Sequence, residues 1–186
     1  MEKRERRREL LARVRDIPRG ERARRSSAIR AALRRDRAFL TARTVFAYLA
    51  LPGEPDLAPL VGAVAGQRWA FARVVSADRL DFHLLEDPAE ARPGELGISE
   101  PDPARHPRIE AAEADLVLVP GVGFDPAGRN RLGRGKGYYD RFLQAALDAS
   151  ATTELVGVAF SEQLGPVPAE AHDIPMHRIL TDLGWA

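Results

Sequence analysis

No cysteine occurs in the 186 residues, so disulfides, thiolate zinc sites and cysteine nucleophiles are excluded and nothing points to an oxidising compartment. Long apolar runs are missing as well. No stretch approaches the roughly 18 residues that span a bilayer, and the opening MEKRERRREL lacks the apolar centre of a secretory signal. A cytoplasmic chain with no membrane contact is therefore expected. Charge of one sign is nearly absent overall, at +1, but residues 1 to 37 hold 15 Lys/Arg against 6 Asp/Glu and leave 13 against 21 for the rest. The basic segment is read either as a nucleic-acid or anion-binding arm or as the solvated face of arginine-rich helices, in which Glu2, Glu5, Glu9, Asp16 and Glu21 supply i,i+4 partners. Histidines number only 4, and His172 and His177 find no third ligand at metal-binding spacing.

What is present is one domain's length of chain with 45% hydrophobic residues, enough for an ordinary core. Leu10, Val14 and Ile17, then Ile29, Ala32 and Leu33, recur at helical spacing on either side of Pro18 and predict two amphipathic helices. Thr44 to Leu51 is an apolar strand, followed by a Pro-Gly-Glu-Pro turn and a helix through Leu57, Leu60, Val61 and Val64 that Asp56 caps. Trp69 to Val75 reads as the next strand. Leu80, Phe82 and Leu84 alternate with Asp81 and His83 as in a half-exposed one. Prolines at 88, 93, 101, 103 and 107 make residues 87 to 108 a loop, with Gly97 to Pro101 (GISEP) inside it. Leu155 to Phe160 and Arg178 to Thr181 supply two further strands, separated by a loop through His172-Asp173. Strands alternating with helices predict a single-domain three-layer α/β/α fold with a largely parallel sheet.

The most informative stretch is Asp115 to Leu143, DLVLVPGVGFDPAGRNRLGRGKGYYDRFL. Leu116 to Val119 has the continuous apolar character of a strand buried on both faces. Gly133, Gly135 and Gly137 alternate with Arg134 and Lys136, which lets a bare backbone approach a polyphosphate while cations neutralise it. A helix from Tyr138 to Leu147 would aim its N-terminal dipole at the same place. The spacing fits neither the P-loop, because Arg134 follows Gly133 and Gly137 follows Lys136, nor the dinucleotide fingerprint. An anion-binding loop and a mere glycine-rich turn both remain open on these residues, although Arg129, Arg131, Arg134, Lys136 and Arg141 would repel one another without an anion. Asp140 complements the helix dipole or ligates magnesium. Asp173 is turn chemistry or more, Glu54 a turn residue or a ligand contact, and Tyr138 and Tyr139 are core or stacking groups.

Taken together, VPGVGFD from Val119 and RLGRGKGYYD from Arg131 closely resemble the 5-formyltetrahydrofolate cyclo-ligase family. FAYLALPGEPD around Glu54, GISEP, EQLGPVPAEAHD and the basic first helix extend the likeness over nearly the whole chain. The resemblance implies one domain over residues 1 to 186, similar to the sugar-phosphate isomerase and CoA-transferase group, with residues 1 to 37 packed as helices on the α/β body. It implies ATP-dependent, magnesium-requiring closure of 5-formyltetrahydrofolate to 5,10-methenyltetrahydrofolate through phosphorylation of the formyl oxygen, releasing ADP and phosphate.

By matching position, the nucleotide would be held by Lys3, Arg7, Arg131, Leu132, Gly133, Arg134, Gly135, Lys136, Gly137, Tyr138 and Tyr139. Leu49, Glu54, Arg134 and Tyr138 would meet the folate, Asp140 and Asp173 would hold Mg2+, and Lys136, Arg131 and Arg134 would carry the catalytic charge. Arg4 and Arg8 repeat the i,i+4 spacing of Lys3 and Arg7, so the register of that contact is an expectation for the structure to decide. A monomer that binds ATP and 5-formyltetrahydrofolate, and no nucleic acid, is expected. The competing readings are another ATP-dependent small-molecule enzyme on the same scaffold and a nucleic-acid module built on the basic N-terminus.

Overall fold

A computed structural model describes residues 2–77, 79–94, 98–170 and 173–186. Gly97 of the GISEP motif and His172 lie outside the described residues. In chain order the helices and strands are α1 (Lys3–Arg15), α2 (Arg19–Leu33), α3 (Arg37–Thr41), β1 (Thr44–Ala47), β2 (Arg68–Val74), β3 (Leu80–Leu84), β4 (Arg92–Pro93), β5 (Ser99–Glu100), β6 (Arg108–Ile109), β7 (Leu116–Pro120), β8 (Gly123–Asp125), β9 (Asn130–Leu132), α4 (Tyr138–Ala149), β10 (Glu154–Val158), β11 (Arg178–Thr181) and β12 (Gly184–Trp185).

Eight of the strands form one sheet in the order β12-β11-β10-β7-β1-β2-β3-β6. The five from β11 to β2 run parallel, and β12, β3 and β6 are antiparallel additions at the edges. Period-two alternation divides the core. Along β7, Leu116 and Leu118 pack with Val14, Ile29, Leu33 and Phe39 of α1 to α3 on one face. Val117 and Val119 pack with Phe46, Phe82 and Leu143 on the α4 face. The result is the three-layer α/β/α arrangement expected from the sequence. From β1 the chain proceeds to β2 on one side, and from β7 to β10 on the other, so the sheet changes direction between β1 and β7. In open α/β sheets the crevice beyond the carboxyl ends at such a point is where ligands bind.

Four sequence expectations are corrected. The helix after Asp56 is only a 3-10 turn, Ala58–Leu60, because Gly62 and Gly66 turn the chain with φ of 79° and 76°; Pro59, in the first turn, is compatible with either. The N-cap position of the turn is Leu57, and Asp56, one residue earlier, accepts from the Ala58 N–H at 3.1 Å. The strand from Thr44 ends at Ala47 rather than Leu51, and Tyr48 is held by its hydroxyl donating to the Pro55 carbonyl at 2.9 Å. His83 is buried rather than half-exposed, since β6 covers it and its Nδ1 donates to the His106 carbonyl at 2.8 Å. The loop between β7 and the glycine-rich segment contains a hairpin, β8–β9.

The basic N-terminus carries much of its charge in local pairs, Arg6 with Glu9 and both Arg24 and Arg25 with Glu21, and Arg25 also reaches Glu162. A longer tie joins the helical layer to the sheet. Asp36 caps α3 by accepting from Phe39 N at 3.2 Å and forms a two-point pair with Arg178 of β11 at 2.7 and 2.9 Å. Those hydrogen bonds from Arg178 hold the Asp36 carboxyl below the ordinary range despite partial burial. A group whose folded pKa is lowered adds stability above its unfolded pKa and loses it as pH falls through the folded value. Asp36→Ala is therefore expected to cost about 1–2 kcal/mol at pH 7. The gap to the unsubstituted chain in thermal melts should narrow as pH falls below about 4. A gap independent of pH would count against the charged pair.

Candidate active site

The crevice at the switch point is a cavity of about 730 Å³. It takes its walls from the ends of β1 and β7, the N-terminus of α1, the segment after β9 and the first turn of α4. Every site residue expected from the sequence borders it: Lys3, Arg7, Leu49, Glu54, the run Arg131 to Asp140, and Asp173. The shape of the run follows from its glycines. Gly135 and Gly137 have φ of 96° and 67°, the left-handed region that favours glycine, and Gly137 leads directly into α4.

Arg131 is buried, with 5% of its surface exposed, and is fixed from three sides. Its Nη2 donates to Asp140 Oδ1 at 2.8 Å, its Nη1 to the Pro120 carbonyl at 3.3 Å, and its guanidinium lies 5.5 Å from the Tyr139 ring centroid. Arg134 donates to Glu54 Oε1 at 3.1 Å, while Glu54 Oε2 accepts from Leu51 N at 3.0 Å, so the loop after β1 is clipped to the glycine-rich segment. Lys3 reaches Asp173 at 2.7 Å and Glu170 at 3.3 Å. Burial pulls the Lys3 ammonium pKa down, but these two carboxylates outweigh it and hold the charge firmly. Arg7 Nε donates to the Gly133 carbonyl at 2.8 Å. Lys3 and Arg7 thus both face the cavity from one side of α1. Arg4 borders the cavity as an exposed residue, and Arg8 is exposed elsewhere.

Lys136 differs from these cations. It is exposed at the cavity, and among the described residues no carboxylate pairs with its ammonium. Leu132 contributes backbone only, since its side chain is buried with Leu10, Val122 and Val167. Tyr139 packs toward the α4 core, and burial pushes its phenol pKa well up. Tyr138 is half-buried at the cavity with Arg141 5.9 Å from its ring centroid. Asp140 and Asp173 border the same cavity, each already paired with a cation, and among the described residues no group of three acidic or histidine side chains forms a metal cluster.

Two participants escaped the sequence reading. Gln163 is buried and donates to the Gly121 and Val122 carbonyls at 2.7 and 3.1 Å, bracing the chain as it leaves β7. Glu100 is buried in the cavity wall on β5. In the sequence it stands in GISEP, one of the motifs of the family likeness, inside a proline-rich loop too long to be idle.

A largely parallel sheet, a cationic glycine-rich segment entering a helix, and a cavity at the switch point define an α/β enzyme that handles a polyanionic substrate. The family model described as the 5-formyltetrahydrofolate cyclo-ligase family matches residues 1–182, and the chain belongs to that family. Over 150 residues it is 35% identical to the 5-formyltetrahydrofolate cyclo-ligase of Mycolicibacterium smegmatis, covering 76% of this chain and 75% of that one. The solution structure of Aquifex aeolicus 5,10-methenyltetrahydrofolate synthetase superimposes with a TM-score of 0.83 at 32% identity, covering 100% of this chain and 92% of the other. The synthetase from Mycoplasma pneumoniae shares the fold, with a TM-score of 0.78 at 24% identity over 98% of this chain and 99% of that one.

Proposed function

We propose that the chain converts 5-formyltetrahydrofolate and ATP to 5,10-methenyltetrahydrofolate, ADP and phosphate in this cavity. The observation that carries the assignment of roles is the convergence of the cations of α1 and the glycine-rich segment on one cavity that Leu49 and Glu54 also line. A formamide carbon is a poor electrophile because the nitrogen lone pair is delocalised into the carbonyl. Transfer of the γ-phosphoryl group to the formyl oxygen, with ADP leaving, turns that oxygen into part of a leaving group. The neighbouring folate nitrogen then bonds to the carbon, loses its proton, and phosphate departs. No protein nucleophile is needed. What the chain must supply is alignment and charge stabilisation for the transferring phosphoryl group, which we assign to Lys136, Arg131 and Arg134. Lys3, Arg7 and residues 131 to 139 would hold the nucleotide, and Leu49, Glu54, Arg134 and Tyr138 the folate.

Mg2+ fits this donor set as a phosphate-bound ion. Magnesium keeps several waters and takes one or two carboxylates beside substrate phosphates, and Asp140 and Asp173 are the two aspartates that border the cavity beside the cationic segment. When bound, the ion would neutralise charge on the transferring phosphoryl group. Asp140→Ala is expected to raise the Mg2+ concentration for half-maximal turnover by about tenfold. An unchanged magnesium titration would leave Asp140 only its pairing with Arg131.

The decisive assay incubates the protein with 5-formyltetrahydrofolate and MgATP and follows the methenyl chromophore; no ATP-dependent signal would sink the proposal. ATP hydrolysis indifferent to folate would favour a different ATP-dependent reaction on this scaffold. A nucleic-acid module has less support, because several arginines of α1 and α2 are engaged in ion pairs. We further propose that the chain acts as a single-domain cytoplasmic monomer.

A further inference from the structure

The cavity is polarised. Its cations belong to α1 and the segment from Arg131, whereas the region formed by Ala72, Val74, Leu80 and Ile98 is apolar and, among the described residues, contains a single carboxylate, Glu100. Only 5% of Glu100 is exposed. Among the described residues its Oε1 accepts one long bond, from Val74 N at 3.2 Å, and the nearest cation to Oε2 is Arg73 Nε at 4.0 Å, beyond hydrogen-bond reach. A carboxylate can accept about four hydrogen bonds, and burying one with so few partners is costly. The backbone makes room for it: a Cβ on Gly94 would stand 2.4 Å from Glu100 Oε2. Of the other cavity-lining glutamates, Glu2, Glu54 and Glu170, Glu54 already holds Arg134 and Leu51 N, and Glu170 lies 3.3 Å from Lys3 Nζ.

We propose that Glu100 binds the pyrimidine edge of the reduced pteridine, an inference that rests on the folate reading above. The 2-amino-4-oxo ring presents its N3–H and one 2-amino N–H side by side, two parallel donors that match the two oxygens of a carboxylate. The apolar side chains around Glu100 suit the flat faces of the same ring. Anchored there, the bicycle is oriented with its far, N5-formylated side toward the cationic part of the cavity, so Glu100 selects the ring and sets the reach of the formyl oxygen.

Glu100→Gln keeps the shape and the acceptor for Val74 N but loses the charge and one acceptor. It is expected to raise the KM for 5-formyltetrahydrofolate about 10- to 100-fold, with the KM for ATP within about twofold. Gly94→Ala, which crowds the carboxylate without removing it, should move the folate KM in the same direction. The reading that a structural role would not move uses the 5-formyl analogue in which a 2-methyl replaces the 2-amino group. The unsubstituted enzyme should discriminate against it by about tenfold or more, and Glu100→Gln should largely erase that ratio. An unchanged folate KM in Glu100→Gln, or a raised KM with discrimination intact, overturns the assignment while the cyclo-ligase reading stands. Wild-type protein that neither binds nor converts the folate overturns both.

Discussion

Replacing Lys136 with alanine is expected to lower kcat by about 10²- to 10³-fold, the usual loss when one donor to a developing charge is removed. The melting midpoint should stay within about 1 °C, because an exposed loop side chain contributes little packing. The expectation follows from the contrast between this residue and its neighbours. Arg131, Arg134 and Lys3 each hold a carboxylate, so part of their charge is committed before any ligand arrives. The Lys136 ammonium has no such partner among the described residues and meets a phosphate at full charge. Lys136→Arg keeps the charge but spreads it over a planar fork, and partial recovery is expected there. A melting midpoint that collapses while turnover stays normal would assign Lys136 to the fold instead.

Arg131→Met is expected to act on both properties. The guanidinium is buried and is the partner of Asp140 at 2.8 Å, so its loss strands a carboxylate in the first turn of α4. Removing one member of a buried pair costs about 3 kcal/mol or more, which for a chain this long lowers the melting midpoint by about 6–12 °C. Turnover should fall as well. The second variant separates the two effects: Arg131→Met combined with Asp140→Asn removes the stranded charge and should regain most of the stability, while turnover at saturating Mg2+ stays below that of Asp140→Asn alone. Stability and turnover recovering together would mean that Arg131 serves the fold alone.

How much of this was legible in the sequence depended on whether a residue's neighbours in the chain were also its neighbours in space. β7 was plain, because a strand buried on both faces is a continuous apolar run, and the helix expected from Tyr138 to Leu147 is α4, Tyr138–Ala149. The hairpin β8–β9 was not, since strands of three residues carry too little alternation to rise above loop composition. The segment after Asp56 misled for a definite reason: Leu57, Leu60, Val61 and Val64 have helical spacing, but Gly62 and Gly66 decide the backbone. Within the site, the glycine-rich run announced itself by density of charge. The turn of α1 that faces the cavity did not, because Arg4 and Arg8 have the same spacing as Lys3 and Arg7 and only the packed orientation of the helix brings Lys3 to Asp173 and Arg7 to Gly133. Glu100 stood in the GISEP motif, but its burial did not show, for a buried carboxylate and a surface carboxylate look the same until the wall around them is drawn.

The hydrogen bond from Lys3 to Asp173 spans 170 residues, and that from Arg7 to Gly133 spans 126. Such contacts belong to the slow end of folding, since nearly the whole chain must be ordered before they repay the entropy of closing so large a loop. During synthesis from the N-terminus, the first helix must wait for almost the last residue it needs. Ligand binding at this cavity therefore reports that both ends of the molecule have met, and loss of binding should precede loss of the central sheet when the protein is gently unfolded.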